Sequence, residues 1–413
     1  MKIYIETDGC SRRINELTSL HKYFEANNHT FVTRPEKADF IIVGTCAFKK
    51  KEESDSIKRV RFLKRIKAKL LVYGCLPDIA PTRFHEEFNG LDFLAPKDIE
   101  RIDSYFEDSL IKFQDIQNQN IIPESMKSNS LQSAIGKFKE EFEFSNKFLV
   151  KAKDYAGKKI KSSLKRNEEN FYLFICRGCL GKCTYCAIKR AIGPLKSTDI
   201  GEIVDQFNEG ITLGHKTFTI LGDDVGAYGR ERNDTFPNLL SRLLEESNGH
   251  NKSLKPHKNG MIGFHIEEIH PKWMTLYKRE LHELISTQRI KSILCPIQSG
   301  NNRILELMKR EHDAESIFEV MSKIRSSHPQ IKLRTQIIVG FPSETENEFY
   351  DTLHQVNNNL FDEVTVFPYD PKEKTPANYI EPHLADQVIS ERVNKALKFF
   401  KTHKISAHLS CQN

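Results

Sequence analysis

Short apolar runs of strand length recur along this chain, and each gives way to a stretch with helical spacing. In the first hundred residues the runs are Lys2–Glu6, Phe40–Val43 and Leu70–Tyr73. After the first of them, Ile14, Leu17, Leu20, His21 and Phe24 repeat at the interval of a helix face. Strands that alternate with helices pair in parallel, because each crossover returns the chain to the same end of the sheet. A second block begins at Phe171, with runs at Tyr172–Ile175, Thr217–Leu221, Ile262–Ile266, Ser292–Ile297, Lys332–Val339 and Glu363–Phe367. Helix faces such as Ile304, Leu305, Met308 and Ile317, Val320, Met321, Ile324 separate them. The expected fold class is therefore α/β. A parallel-sheet domain over 1–107 is followed by a partial (β/α)6 TIM-like barrel over 171–395, short of the eight strands of a closed barrel. Between them, 108–170 loses the pattern: Gln114–Gln119 is mostly polar, Ser125–Ser133 is rich in serine, and a weak amphipathic helix spans Phe138–Asp154. This stretch is expected to be a linker or insertion, and 396–413 a tail.

Composition narrows the class further. The 413 residues are 38% hydrophobic and 29% charged, and no apolar run approaches the roughly 18 residues of a membrane span. Met1 to Glu6 starts as a strand, not as a signal peptide. A net charge of +6 is too mild to indicate a nucleic-acid partner by itself. Nine cysteines without a secretion signal point to a reducing, cytoplasmic compartment, where thiols serve metals or catalysis.

Cys179, Cys183 and Cys186 sit directly after the first strand of the second block. Such a loop wraps three thiolates around one face of a cubane iron–sulfur cluster and leaves the fourth iron open. Gly178 and Gly181 suit its bends. Adding Cys176 makes two CxxC pairs, but zinc ribbons separate their pairs by about 15–20 residues, and here three residues intervene. Cys176 ends an apolar strand and fits a packed thiol. Cys10, Cys46 and Cys75 are dispersed, yet each follows a strand and has a glycine close before it: Gly9, Gly44 and Gly74. The carboxyl ends of neighbouring parallel strands open onto one crevice. One cysteine there is more often a buried hydrophobe; three at equivalent places favour a second three-thiolate site.

Four further segments join these cysteines: Gly222-Asp223-Asp224-Val225-Gly226-Ala227-Tyr228-Gly229; Gln298-Ser299-Gly300 with Arg303, Leu305, Met308 and Arg310; Ile337 to Pro342 with Glu344-Thr345; and Phe367-Pro368-Tyr369 with Thr375-Pro376-Ala377. Together they resemble the radical SAM methylthiotransferase family, over about residues 1–100 and 170–395. Gly44 stands where the family usually has Asn, and Ser11-Arg12-Arg13 replaces its small motif after the first cysteine. The stretch after the barrel is too short for the family's C-terminal TRAM β-barrel, which is expected to be lacking.

The resemblance implies two [4Fe–4S] clusters, one on Cys179, Cys183 and Cys186 and a sulfur-donating one on Cys10, Cys46 and Cys75. It implies two S-adenosylmethionines per turnover, one cleaved to a 5′-deoxyadenosyl radical and one donating methyl, with sulfide or polysulfide as sulfur source. A flavodoxin- or ferredoxin-type protein is the expected electron donor. Gly222, Asp223 and Asp224 lie at a strand end, where barrel enzymes gather ligands; the aspartates are expected to hold S-adenosylmethionine or to cap a helix. Gln298, Ser299, Val339 and Gly340 are expected at the cofactor too, although Gly340 also suits a turn. Tyr185 either stacks on adenine or shields the cluster, and Tyr369 either lines the substrate cavity or packs on its loop. Residues 49–69 hold ten Lys/Arg against three Asp/Glu, a net +7, which suits an anionic substrate, a redox partner or a solvated helix face. The expected substrate is a peptide or protein side chain. Adenosine in tRNA is the alternative, then a radical SAM reaction of another type, or a non-enzymatic metal module.

Overall fold

The computed structural model describes residues 1–7, 10–116, 126, 170–253 and 261–410. The chain divides into two compact units, Met1–Phe174 with Arg190–Gly193, and Ile175–Lys189 with Pro194–Asn413. No helix among the described residues is long and apolar enough to cross a membrane.

The first unit carries a parallel sheet of β1 (Lys2–Thr7), β2 (Thr30–Phe31), β3 (Phe40–Thr45), β4 (Lys69–Gly74) and β5 (Phe93–Leu94), in the order β2-β1-β3-β4-β5. Helices α1 (Ser11–Ala26), α2 (Lys50–Leu63), α3 (Leu76–Ile79) and α4 (Pro81–Phe88) lie in the connections. The central strand β3 is buried at every position, which is why it reads as an unbroken apolar run instead of alternating. The edge strands β2 and β5 have two residues each and leave no such run. Leu17, Leu20, Tyr23 and Phe24 of α1 pack on Ile3, Ile5, Phe40 and Ile42, each burial worth about 1.5–3 kcal/mol. Phe113 and Met126 are buried in this same core. The stretch expected as a linker therefore begins as part of the first unit, because its apolar residues have a core to join. The helix expected over Phe138–Asp154 lies outside the described residues.

The second sheet runs β13-β12-β11-β10-β9-β8-β6-β7. Its elements are β6 (Phe171–Arg177), α5 (Ile188–Ile192), β7 (Lys196–Ser197), α6 (Ile200–Thr212), β8 (Thr217–Gly222), α7 (Phe236–Ser253), β9 (Gly263–Ile266), α8 (Pro271–Leu276), α9 (Lys278–Ile285), β10 (Ile290–Leu294), α10 (Asn302–Leu307), α11 (Ala314–Ser327), β11 (Lys332–Val339), α12 (Glu346–Val356), β12 (Glu363–Pro368), α13 (Asp386–Thr402) and β13 (Ser406–Leu409). All six expected strands are present and lie side by side in chain order. Helix starts follow local chemistry: Thr345 and Glu348 form a reciprocal capping box on α12, and Asp313 caps α11. Two edge strands were not foreseen. β7 pairs antiparallel with β6, and β13 pairs parallel with β12. The expected tail thus holds the end of α13 and a sheet strand. β13 lies at an edge with no fully buried position, so it shows no apolar run.

Candidate active site

The cysteine loop follows β6, and its shape is set by close backbone approaches. Gly178 has φ +83°, and a Cβ there would stand 1.9 Å from the Pro194 carbonyl oxygen, so only glycine fits. Its N–H donates to Asp223 Oδ2 at 3.0 Å. Gly181 donates its N–H to Cys179 Sγ at 3.1 Å. A Cβ on Gly181 would lie 3.2 Å from Cys179 Sγ and 3.7 Å from Cys183 Sγ, so these two sulfurs flank it. Buried Thr184 clamps the loop: its N–H donates to the Met308 carbonyl (3.0 Å), its Oγ1 to the Leu307 carbonyl (2.8 Å), and its own carbonyl accepts from Ala377 (3.0 Å). Arg310 Nη1 lies 3.5 Å from Cys183 Sγ, and the Ile188 and Lys189 N–H groups face Cys186 Sγ. Burial pushes the Cys179 and Cys186 thiols up; metal ligation reverses this by deprotonating them. Each of the three sulfurs thus meets donors of the kind that support a ligating thiolate. The donor set fits a cluster held by three cysteines.

The strand-end residues divide by role. Asp224 is buried, accepts from Trp273 Nε1 at 2.9 Å and has Oδ2 3.5 Å from Cys179 Sγ. Burial raises its pKa. Its side chain makes no capping bond to the short helical turn that it precedes. Gly222 lies against Cys176, where a Cβ would stand 2.8 Å from Sγ. Cys176 itself is fully buried and directed at the Asp224 carbonyl at 3.4 Å, as a packed thiol is. Gln298 has φ +71°, and its Oε1 is buried with no hydrogen-bond partner among the described residues. Strain and an orphan acceptor together are unusual outside functional positions.

Ser299, Val339 and Gly340, expected at the cofactor, are employed by the fold. The Ser299 hydroxyl meets Thr352 Oγ1 at 3.1 Å and accepts the Asn301 N–H at 3.2 Å. Val339 is buried at the end of β11. Gly340 turns at φ +82° and donates to Glu344 Oε2 at 2.8 Å, which Arg392 also holds at 2.8 Å; burial lifts the Glu344 carboxyl to about 7. Tyr369 is buried with Ile304, Met308, Ile338 and Phe341, its hydroxyl without a partner among the described residues. Tyr185 packs on that cluster and its hydroxyl lies 3.3 Å from Arg310 Nη1, a placement that suits shielding the cysteine loop.

In the first unit, Cys10 precedes α1, Cys46 follows β3, and Cys75 follows β4 and opens α3. Strands β1, β3 and β4 are neighbours. The register pairs Thr45 with Gly74, one residue before Cys46 and Cys75, so β3 and β4 end level, and Thr7 with Gly44, so β1 ends one pair short of them. Gly74 has φ +120°, and a Cβ there would stand 2.3 Å from the Thr45 carbonyl oxygen. Ser56 of α2 holds Cys46 from both sides, accepting its N–H (3.0 Å) and donating to its carbonyl (2.9 Å). Burial, with Cys10 nearby, pushes the Cys46 thiol up to about 11. Gly9 lies outside the described residues. On α2 and just past it, Lys51, Lys58, Lys64, Arg65 and Lys67 are exposed, while Arg59 turns inward to pair with Glu6.

Three residues at these sites escaped sequence reasoning in this role. Trp273 is the chain's only tryptophan, a signal that went unused. Arg310 figured only as part of a motif, because nothing in a sequence shows that an arginine is buried. Ser56 carries no sequence signal.

Residues 173–356 match the radical SAM superfamily, and residues 2–95 match the uncharacterized protein family UPF0004. The chain is 25% identical over 412 residues to tRNA-2-methylthio-N(6)-dimethylallyladenosine synthase of Hydrogenobaculum sp. (strain Y04AAS1), covering 97% of this chain and 84% of that one. It is 27% identical over 383 residues to the probable threonylcarbamoyladenosine tRNA methylthiotransferase of Pyrococcus horikoshii, covering 91% and 79%. Among solved structures, the radical S-adenosylmethionine methyltransferase TsrM from Kitasatospora setae, with cobalamin and a [4Fe-4S] cluster bound, superposes with a TM-score of 0.61 at 10% identity over 91% of this chain and 77% of that one. That likeness is one of fold. The family implies S-adenosylmethionine and a [4Fe–4S] cluster as cofactors. With both matched segments in this order and relatives of this kind along nearly its whole length, the chain belongs to the radical SAM methylthiotransferase family and is a sulfur-transferring enzyme dependent on S-adenosylmethionine.

Proposed function

We propose that this enzyme installs a methylthio group on a modified adenosine of tRNA. Cys179, Cys183 and Cys186 hold the cluster that binds S-adenosylmethionine, and Cys10, Cys46 and Cys75 hold a second [4Fe–4S] cluster. When bound, the first group supplies the one-electron cleavage of S-adenosylmethionine, and the second supplies sulfur. Around them, Gly181, Arg310 and the start of α5 present donors to the three loop sulfurs. Asp224, fixed by Trp273, places a carboxylate beside Cys179. Gln298 offers its amide oxygen and Tyr369 its hydroxyl, both without a partner among the described residues. In the first unit Ser56 fixes the backbone of Cys46. The observation that carries the two-cluster reading is that β1, β3 and β4 are neighbours ending within one pair of each other, with a cysteine after each. Sequence separation alone gives no reason for that coincidence.

The tRNA reading takes its support from the relatives named above, which modify tRNA adenosines by their names. The exposed lysines of and after α2 suit phosphates. A peptide substrate, expected from the sequence, leaned on residues 108–170, most of which lie outside the described residues, and on where the chain stops, which bears on no substrate. The test is nucleoside mass spectrometry of tRNA from cells that lack 2-methylthioadenosines, with and without this chain. Appearance of a 2-methylthio nucleoside is the expected result. Unchanged tRNA, from cells whose purified enzyme still cleaves S-adenosylmethionine, overturns the substrate while leaving the chemistry.

A further inference from the structure

Arg310 is a buried charged residue of the second unit. It is 4% exposed, and no carboxylate pairs with it among the described residues. Its Nη2 donates to the Pro296 carbonyl, its Nη1 lies 3.3 Å from the Tyr185 hydroxyl and 3.5 Å from Cys183 Sγ, and its Nε is buried without a partner among the described residues. The Asp224 carboxylate lies within electrostatic reach but forms no ion pair with it, and a buried guanidinium without a paired counter-charge is costly. The backbone around it is built to hold it there. Lys309 and Glu311 on either side have φ +53° and +54°, a region non-glycine residues avoid. The Arg310 N–H donates to the Leu305 carbonyl at 3.0 Å. The two residues just before this turn, Leu307 and Met308, give their carbonyls to Thr184. The cysteine loop and the arginine are thus locked in register by hydrogen bonds, next to the one sulfur that Arg310 faces.

We propose that Arg310 is the counter-ion of the Cys183 thiolate and sets the reduction potential of the cluster on Cys179, Cys183 and Cys186. Three thiolates and their sulfides give such a centre net negative charge, and adding an electron increases it. A fixed cation at a buried sulfur favours the reduced state, since charges interact strongly where water is excluded, and hydrogen bonds to the sulfurs act in the same direction. Arg310 is a positioning and tuning residue; Tyr185, sharing Nη1, keeps the guanidinium turned toward the sulfur.

The inference rests on the ligand assignment above, and the experiment separates the two. Full-length chain carrying Cys10, Cys46 and Cys75 as alanine is reconstituted with iron and sulfide so that one cluster remains. About four irons in that chain uphold the loop assignment, and a loss of all iron defeats it whatever Arg310 does. The reduced-to-oxidised ratio is then read by electron paramagnetic resonance at fixed ambient potentials. Arg310→Gln is expected to lower that ratio about tenfold, equivalent to about 59 mV for a one-electron couple. Arg310→Lys, which keeps charge without the fork, is expected to fall between. Loss of the cluster from the Gln variant but not the Lys variant, with both iron-free chains folded, also supports the charge. The proposal is overturned by an unchanged ratio in Arg310→Gln, by equal shifts or cluster loss in both variants, or by an iron-free Gln variant that does not fold.

Discussion

The two cysteine sets solve one problem by opposite means. In the second unit the three cysteines proposed as ligands lie within a single loop, and their geometry is local: Gly178 and Gly181 make the bends, and Thr184 ties the loop to the turn after α10. In the first unit the cysteines proposed as ligands are spread from Cys10 to Cys75, and they follow neighbouring strands of one sheet. The register of β1, β3 and β4 does the work that loop spacing does elsewhere. A loop site tolerates change in the surrounding sheet but depends on each bend. A register site depends on strand pairing, because a slip of one residue displaces a ligand by a full strand step. The difference explains why one set stands out in the sequence while the other emerges only with topology.

The largest expected effects come from removing a ligand on each side of this comparison. Reconstituted enzyme should carry about eight irons, four in each centre. Cys183→Ala should bring 5′-deoxyadenosine formation to background, since the site that holds S-adenosylmethionine is lost. Cys46→Ala should keep forming 5′-deoxyadenosine and make no methylthiolated product. Methylthiolation at the normal rate by Cys46→Ala would erase the division of labour between the units. Next in size are the glycines that shape each site. Gly178→Ala puts a Cβ against three backbone atoms of the Pro194–Leu195 link, the nearest at 1.9 Å, at φ +83°. It should cost about 3–6 kcal/mol, combining backbone strain and overpacking. Gly74→Ala meets the Thr45 carbonyl at 2.3 Å and should cost about 2–4 kcal/mol by the same reasoning. Urea unfolding of the iron-free chains measures both, and equal small costs would mean that neither close approach matters.

The fold was legible where burial turns strands into apolar runs, as in β3, β4 and β8, and in β11 and β12, where buried and partly exposed positions alternate. It was illegible at edges. β2, β5, β7 and β13 are short or half-exposed, and their residues answer to local pairing that composition does not register. The cysteine loop after β6 was legible from spacing, and the place of Cys10, Cys46 and Cys75 after neighbouring strands from the strand-end rule. Other strand-end positions were not separable in sequence. Gln298 and Ser299 are neighbours in one motif, yet one has an unpaired amide oxygen and the other bonds Thr352. Both are polar residues at the end of a strand, and only side-chain direction distinguishes them. Arg310 shows the same limit, since its significance lies in its burial and in what it lacks.

The smallest expected effect sharpens the comparison most, because it concerns one hydroxyl at each site. Thr184 Oγ1 donates to the Leu307 carbonyl at 2.8 Å. Thr184→Val keeps the shape and loses that bond, and the Thr184 backbone still pairs with Met308 and Ala377. The cost should be about 1 kcal/mol, the net worth of one ordinary hydrogen bond. Ser56 makes two bonds, to the N–H and the carbonyl of Cys46, and it is buried at 7% exposure. Ser56→Ala strands both backbone groups, and leaving buried groups unsatisfied costs about 1–3 kcal/mol. It should therefore destabilise the iron-free chain more than Thr184→Val. Iron retention during dialysis against a chelator should separate them further. Ser56→Ala should speed loss of half the iron, the half assigned to Cys10, Cys46 and Cys75 by the proposal, while 5′-deoxyadenosine formation persists. Thr184→Val should act on the other half. If the two variants lose iron from the same centre, the hydroxyls do not serve the sites they touch, and the opposition between a loop-built and a register-built centre fails at this level.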